Sequence, residues 1–278
     1  MRTSNPALND KVFEQARVES ASESAPGWAA PQASAQTLEA AYQAPAYRGP
    51  VVGDDAMTLN GVAWASGALL VLLVAAGVFG WNSVDRSTDV VVMPGWLMLV
   101  LLGGLGTAVL TIFKPKLARF TAPIYALLQG ALLGAISALY NSAYDGIVVQ
   151  AVAMTIGVFA VMLFLFATRI IKVTDKLRMG IVAATGGIML VYLLNLVLSL
   201  FGGNLAFLQS SSAMGIGISV LIVGVAAFNL LLDFDFVERG VEAGAPRYME
   251  WYAAFGLLVT LVWLYIELLR LLAKLQRR

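Results

Sequence analysis

From residue 58 onward the chain is a succession of apolar runs separated by short polar stretches. The runs lie at about 60–81, 92–113, 121–141, 147–168, 180–201, 213–232 and 251–272. Each is about 20 residues long, the length an α-helix needs to cross ~30 Å of hydrocarbon. The pattern therefore predicts an all-α, polytopic membrane protein, a seven-transmembrane-helix bundle with short loops. Trp81, Trp96, Tyr140, Tyr144, Trp251 and Tyr252 fall near the expected ends, where amphipathic rings favour the membrane interface. Pro115 and Pro123 flank the expected loop between spans two and three. Pro94 falls near the start of span two, where a missing N–H costs little.

Residues 1–57 break the pattern. They are rich in Pro, Ala, Ser, Gln and Glu, as in SASESAPGWAAPQASAQ, and show little periodicity. No apolar run follows the start, so the segment does not read as a signal peptide. It carries 7 of the 17 acidic residues and 4 of the 18 basic ones. The expectation is a disordered cytoplasmic tail over 1–57, with one short helix around 38–42, joined to a seven-helix membrane domain over 58–278.

Composition narrows the function classes. Hydrophobic residues make up 59% and charged residues 13% of the chain, and the mean hydropathy is +0.80. These values exclude a nucleic-acid binder and an ordinary cytosolic domain, and they name the lipid bilayer as the first partner. There is no cysteine and no histidine. Thiol chemistry, a His-based triad and a His-ligated metal or haem site are therefore excluded. No cofactor, metal site or enzymatic activity is expected, and any response to pH must come from carboxylates.

Charge gives the orientation. Lys114, Lys116, Arg119, Arg169, Lys172, Lys176, Arg178, Arg239 and Arg247 fall in three loops on one side, whereas the opposite loops hold Arg86 alone. The positive-inside rule then puts the N-terminus in the cytoplasm of a plasma membrane. Seven crossings carry the C-terminus to the other side, yet it holds Arg270, Lys274, Arg277 and Arg278. Either the late basic cluster is tolerated there or the last segment stops short. Full crossing is the preferred reading.

Charged groups at membrane depth are costly, so each is a candidate site. Asp233 and Asp235 end span six, Glu250 opens span seven and Glu267 lies within it. Two residues of helix separate Asp233 from Asp235 by about 200°, so only one of them faces a given pocket. Asp233, the deeper, is the preferred candidate. It reads either as a membrane-edge residue or as one turned inward toward the last helix or the basic loop at 114–119. Glu267 reads either as an interfacial acid paired with Arg270 at i,i+3 or as a carboxyl facing the bundle interior. Gly130 and Gly134 form a GxxxG in span three, a pattern that lets helix backbones approach closely, within the bundle or between copies.

Several of these stretches resemble the transmembrane Bax-inhibitor-motif family, in its bacterial branch. LLLDFDFVE resembles the motif ending the family's sixth span, with Asp233 at the family Asp. LYIELLRLL resembles the motif of its last span, with Glu267 at the family Asp. QGALLGAIS resembles the Gly-rich pattern of span three, with Gly130, Gly134 and Ser137 matching and Gln129 at the family's Glu. SNPAL and the long stretch from GAPRYMEWY onward add to the likeness, which covers about 56–278. The resemblance implies a seven-helix fold with the last helix central. It also implies a pH-sensitive calcium leak gated by protonation of a carboxylate pair, which by position would be Asp233 and Glu267, with Asp235 beside them. Relatives carry a basic residue that latches the span-six Asp, and Lys114 and Lys116 are the physically reasonable positions. Hard cations such as Ca2+ suit oxygen ligands. A second reading is a regulator acting through a membrane-protein partner, with the acidic tail as docking element. A small-solute transporter is disfavoured by six charge-free spans.

Overall fold

The computed structural model describes residues 56–85 and 94–277. The reading of a tail over 1–57 therefore falls almost wholly outside the described residues, as do Arg86 and Arg278. Among these residues seven long helices follow one another: α1 (Leu59–Asn82), α2 (Leu97–Phe113), α3 (Ala118–Ala143), α4 (Ile147–Ala167), α5 (Asp175–Leu200), α6 (Ala213–Glu242) and α7 (Met249–Gln276). A 3-10 turn at Pro115–Leu117 joins α2 to α3, and a single helical turn at Ala206–Gln209 precedes α6. No strand occurs among the described residues.

Side chains set the helix starts. Thr58 caps α1 by accepting from Gly61 N at 2.9 Å, Thr174 caps α5 through Leu177 N, and Ser212 caps α6 through Gly215 N. Gly146, at φ +74°, supplies the left-handed backbone that turns α3 tightly into α4. Six of the helices are long and apolar enough to cross a membrane. α2 has 17 residues, about 25 Å of helix, and begins at Leu97 rather than at the expected 92. Pro123, expected at the loop, lies inside α3 because that helix starts at Ala118. The largest change is in α6, which continues ten residues past the expected end at 232.

The last helix is the hub. α7 packs against α1, α3, α4 and α6, and Leu258, Leu264, Leu268 and Leu269 along it are fully enclosed. On one side it meets Leu230, Leu231 and Phe234 of α6, with Phe234 in edge contact with Phe159 of α4 at 5.6 Å. On the other it meets Leu69 of α1 and Tyr125 of α3, with the Tyr125 and Phe255 rings T-shaped at 5.0 Å. The wrapping is uneven, since α2 packs chiefly on α3 and α5 chiefly on α6. Large apolar side chains on the outer faces, such as Val71, Val74, Leu190 and Leu196, are exposed. In a multi-pass membrane protein, lipid covers these faces.

The GxxxG glycines act within the bundle. A Cβ on Gly130 would collide with the carbonyl of Leu73, and one on Gly134 with the carbonyl of Gly77, both in α1. Gly80 faces Ala131 in the same way. The α1 and α3 backbones therefore touch directly, with Gly on both sides of the seam.

Candidate functional site

The acidic residues of α6 and α7 occupy three levels of the bundle. At the end where α6 finishes, Glu250 is buried against the start of α1. Its Oε1 accepts from Thr58 N at 3.0 Å and from Thr58 Oγ1 at 2.9 Å. A Cβ on Gly61 would occupy the place of this carboxylate, so Gly61 makes room for an anion at a helix N-terminus, where it is favoured. The backbone just before α1 is held to the same loop, with Met57 N donating to Ala245 O at 2.7 Å.

One level deeper lie Asp233 and Asp235, on opposite sides of α6 as the two-residue spacing demands. Asp235 is 9% exposed and faces α5. Arg178 of α5 donates to it at 2.6 Å, and Arg239, one turn on in α6, donates to its other oxygen at 3.0 and 2.8 Å. Arg169 and Glu238 pair beside them. Asp233 faces α7 instead. Its carboxyl lies beside the Thr260 side chain, and Oδ1 lies 3.9 Å from where a Cβ on Gly256 would sit. Its Oδ2 is buried and has no hydrogen-bond partner.

The third level is at the far end. Glu267 is 2% exposed. Its Oε1 accepts from the Tyr192 hydroxyl of α5 at 2.8 Å and from Arg270 at 3.2 Å, and the Arg270 guanidinium lies 5.2 Å from the centre of the Tyr192 ring. Both sequence readings of Glu267 meet here, for it is paired at i,i+3 and it faces inward. Next to it, buried Lys274 reaches α6, donating to Gly215 O at 3.1 Å and Ser219 Oγ at 2.7 Å.

The structure brings Asp233 to α7 but not to Glu267. Thr260, which holds Asp233, precedes Glu267 by seven residues, ~10 Å along α7 at the helical rise. The two carboxyls keep separate partners, so repulsion between them does not follow from this geometry. Lys114 and Lys116 are exposed and no pairing with an acid is present for either among the described residues. The basic groups that hold the span-six acids are Arg178 and Arg239, and they hold Asp235. Gln129 is turned toward Gly104 of α2, away from α6.

Sequence reasoning placed α5 but missed its polar face. Arg178, Thr185 and Tyr192 are spaced by seven, which keeps them within about 20° per repeat on one helix face. Each makes a polar contact with the last two spans: Arg178 with Asp235, Thr185 with Asn229 Nδ2 at 2.8 Å, and Tyr192 with Glu267. α5 buries little apolar surface, so this ladder is its main attachment. The seven-residue spacing of polar residues in an apolar helix was the available signal.

Fold, motif order and buried acids all agree with one family. The family model described as Bax inhibitor 1 like matches residues 5–277, whereas no curated protein and no solved structure matches the chain. With nearly its whole length so matched, and with a central last helix that packs a span-six Asp and encloses its own acid, this multi-pass membrane protein belongs to the Bax inhibitor 1-like family.

Proposed function

We propose that the chain is a proton-responsive cation leak of the bacterial plasma membrane, with Ca2+ as the permeant ion, the N-terminus in the cytoplasm and Asp233 as the responsive group. The observation that carries this reading is the buried Asp233 oxygen without a partner between α6 and α7. The Thr260 side chain lies beside it, Gly256 presents no side chain to it, and no charged side chain among the described residues neutralises it. A charged carboxylate there has unused acceptor capacity in an apolar interior, which is costly. Losing the proton therefore favours parting of α6 and α7 and entry of water or a cation, while the protonated group keeps the contact closed.

Asp235 and Glu267 differ in role. Each has a partner on α5, so they anchor that helix beside the moving contact. Hard cations prefer oxygen ligands, and the Asp233 carboxyl and Thr260 hydroxyl supply them at one place.

The test is calcium efflux from proteoliposomes at matched protein content. Efflux should increase as the medium is taken from acidic to alkaline in the wild type. It should become flat and low in Asp233→Asn. Equal efflux and equal pH dependence in that variant would overturn the reading.

A further inference from the structure

A cavity of about 320 Å³ opens at the end of the bundle where α7 finishes, walled by Tyr140, Tyr192, Asn195, Arg270, Lys274 and Arg277. Its wall is rich in donors and poor in acceptors. The Lys274 ammonium uses two of its three N–H groups, on Gly215 and Ser219. Arg270 spends Nη1 on Glu267, and Arg277 spends Nε on the Tyr144 hydroxyl at 2.7 Å. The Nη groups of Arg277 have no hydrogen-bond partner among the described residues. The Asn195 carbonyl is already taken by Leu205 N at 2.8 Å, which leaves its amide N–H groups.

The carboxylate facing these cations is Glu267, whose Oε1 is shared between Tyr192 and Arg270. Three cations against one acid leave the cavity net positive, with donors in excess. That combination is complementary to an oxyanion, and forked guanidinium groups suit phosphate in particular. The volume exceeds that of inorganic phosphate and accommodates a glycerophosphate group. The cavity also lies at a helix-end level, where lipid headgroups are found.

We propose that this cavity is a binding site for a phosphate-bearing anion, held by Arg270, Lys274 and Arg277. The same chemistry is offered by an anionic lipid headgroup and by free phosphate, and the site is separate from the Asp233 contact.

The test uses the full chain purified in a neutral detergent. Thermal unfolding is followed with added phosphatidylglycerol, with phosphatidylcholine and with inorganic phosphate, and retained lipid is identified by mass. Phosphatidylglycerol should be retained and should raise the midpoint where phosphatidylcholine does not. Arg277→Gln should weaken that binding about tenfold, as expected for one lost charge-assisted contact. Because Arg270→Gln alone strands Glu267, the double variant Arg270→Gln/Glu267→Gln serves as the second probe and should weaken binding similarly. Lys116→Gln, an exposed basic position at the opposite end, should bind as the wild type does. Stabilisation by inorganic phosphate, lost in the same variants, supports the site with a soluble anion as its occupant. No difference between the two lipids and no effect of phosphate overturns the proposal, as does equal weakening in Lys116→Gln.

Discussion

Asp233 and Asp235 are two residues apart and live in different chemical worlds, and single isosteric changes should separate them. Asp235 is gripped by Arg178 and Arg239, so Asp235→Asn removes the acceptor charge both arginines use. Those arginines are more than a third exposed, which lowers the loss below that of a fully buried pair, to on the order of 2 kcal/mol. Asp233→Asn keeps the Thr260 contact and removes the charge beside an unpartnered oxygen, so thermal unfolding in detergent should show it neutral or stabilising at alkaline pH. The opposite order of the two midpoints would show that the partners are assigned to the wrong acids. Tyr192→Phe should cost about 1 kcal/mol in the same measurement, the usual size of an inter-helix hydrogen bond within a bilayer. The rotation between the two aspartates was legible in their spacing. The i,i+4 pairing of Asp235 with Arg239 was legible too, whereas its contact with Arg178 was not, because Arg178 is 57 residues away in sequence and only the docking of α5 brings them together.

Helices show the same division. Apolar length located all seven, because hydrocarbon thickness fixes the minimum run. Their ends were legible only where charge and helix stop together. α6 was expected to end at 232, where the first acid appears, yet it continues to Glu242 because Asp235 and Arg239 pair within it and Phe234 and Val237 remain buried. The α1–α3 seam was legible as a motif, although the GxxxG did not say whether it served the bundle or a second copy. The answer lies in Gly77 and Gly80 of α1, which accept the close approach from the other side. Gly134→Ala should separate the two backbones and lower stability by about 1–3 kcal/mol, the scale of overpacking, whereas Gly67→Ala on an open face should not. α5 should respond differently, because its hold is a polar ladder rather than apolar packing. Spin labels on cysteines at exposed Leu190 of α5 and exposed Leu127 of α3 can read its position, since the chain has no cysteine of its own. Combining Arg178→Gln with Tyr192→Phe should broaden that distance distribution, and an unchanged distribution would mean that apolar contacts hold α5.

At the scale of the whole molecule the two described ends of the chain lie at opposite ends of the bundle. Thr58 is tied to Glu250 at the start of α7, while Arg277 at its other end is tied to Tyr144 in the loop between α3 and α4. Arg270, Lys274 and Arg277 each make a local hydrogen bond, to Glu267, to Ser219 with the Gly215 carbonyl, and to Tyr144. The loop charges at 114–119, 169–178 and 239–247 predict by the positive-inside rule that their end of the bundle faces the cytoplasm. α7 is long enough to cross fully, since its 28 residues give about 42 Å of helix. Single cysteines provide the measurement in intact bacterial cells. A membrane-impermeant maleimide should react with cysteines replacing Asp145 or Arg277 from outside. Cysteines replacing Lys116 or Lys172 should react only after the membrane is opened. Reaction of positions 116 and 277 from the same side would mean that the last helix turns back, and the helix-end placement of the basic cavity would fall with it. The reversed pattern, with 116 and 172 outside, would keep the fold and invert it. The Asp233 contact, which lies nearer the loop-charge end, would then respond to the outer rather than the inner proton concentration.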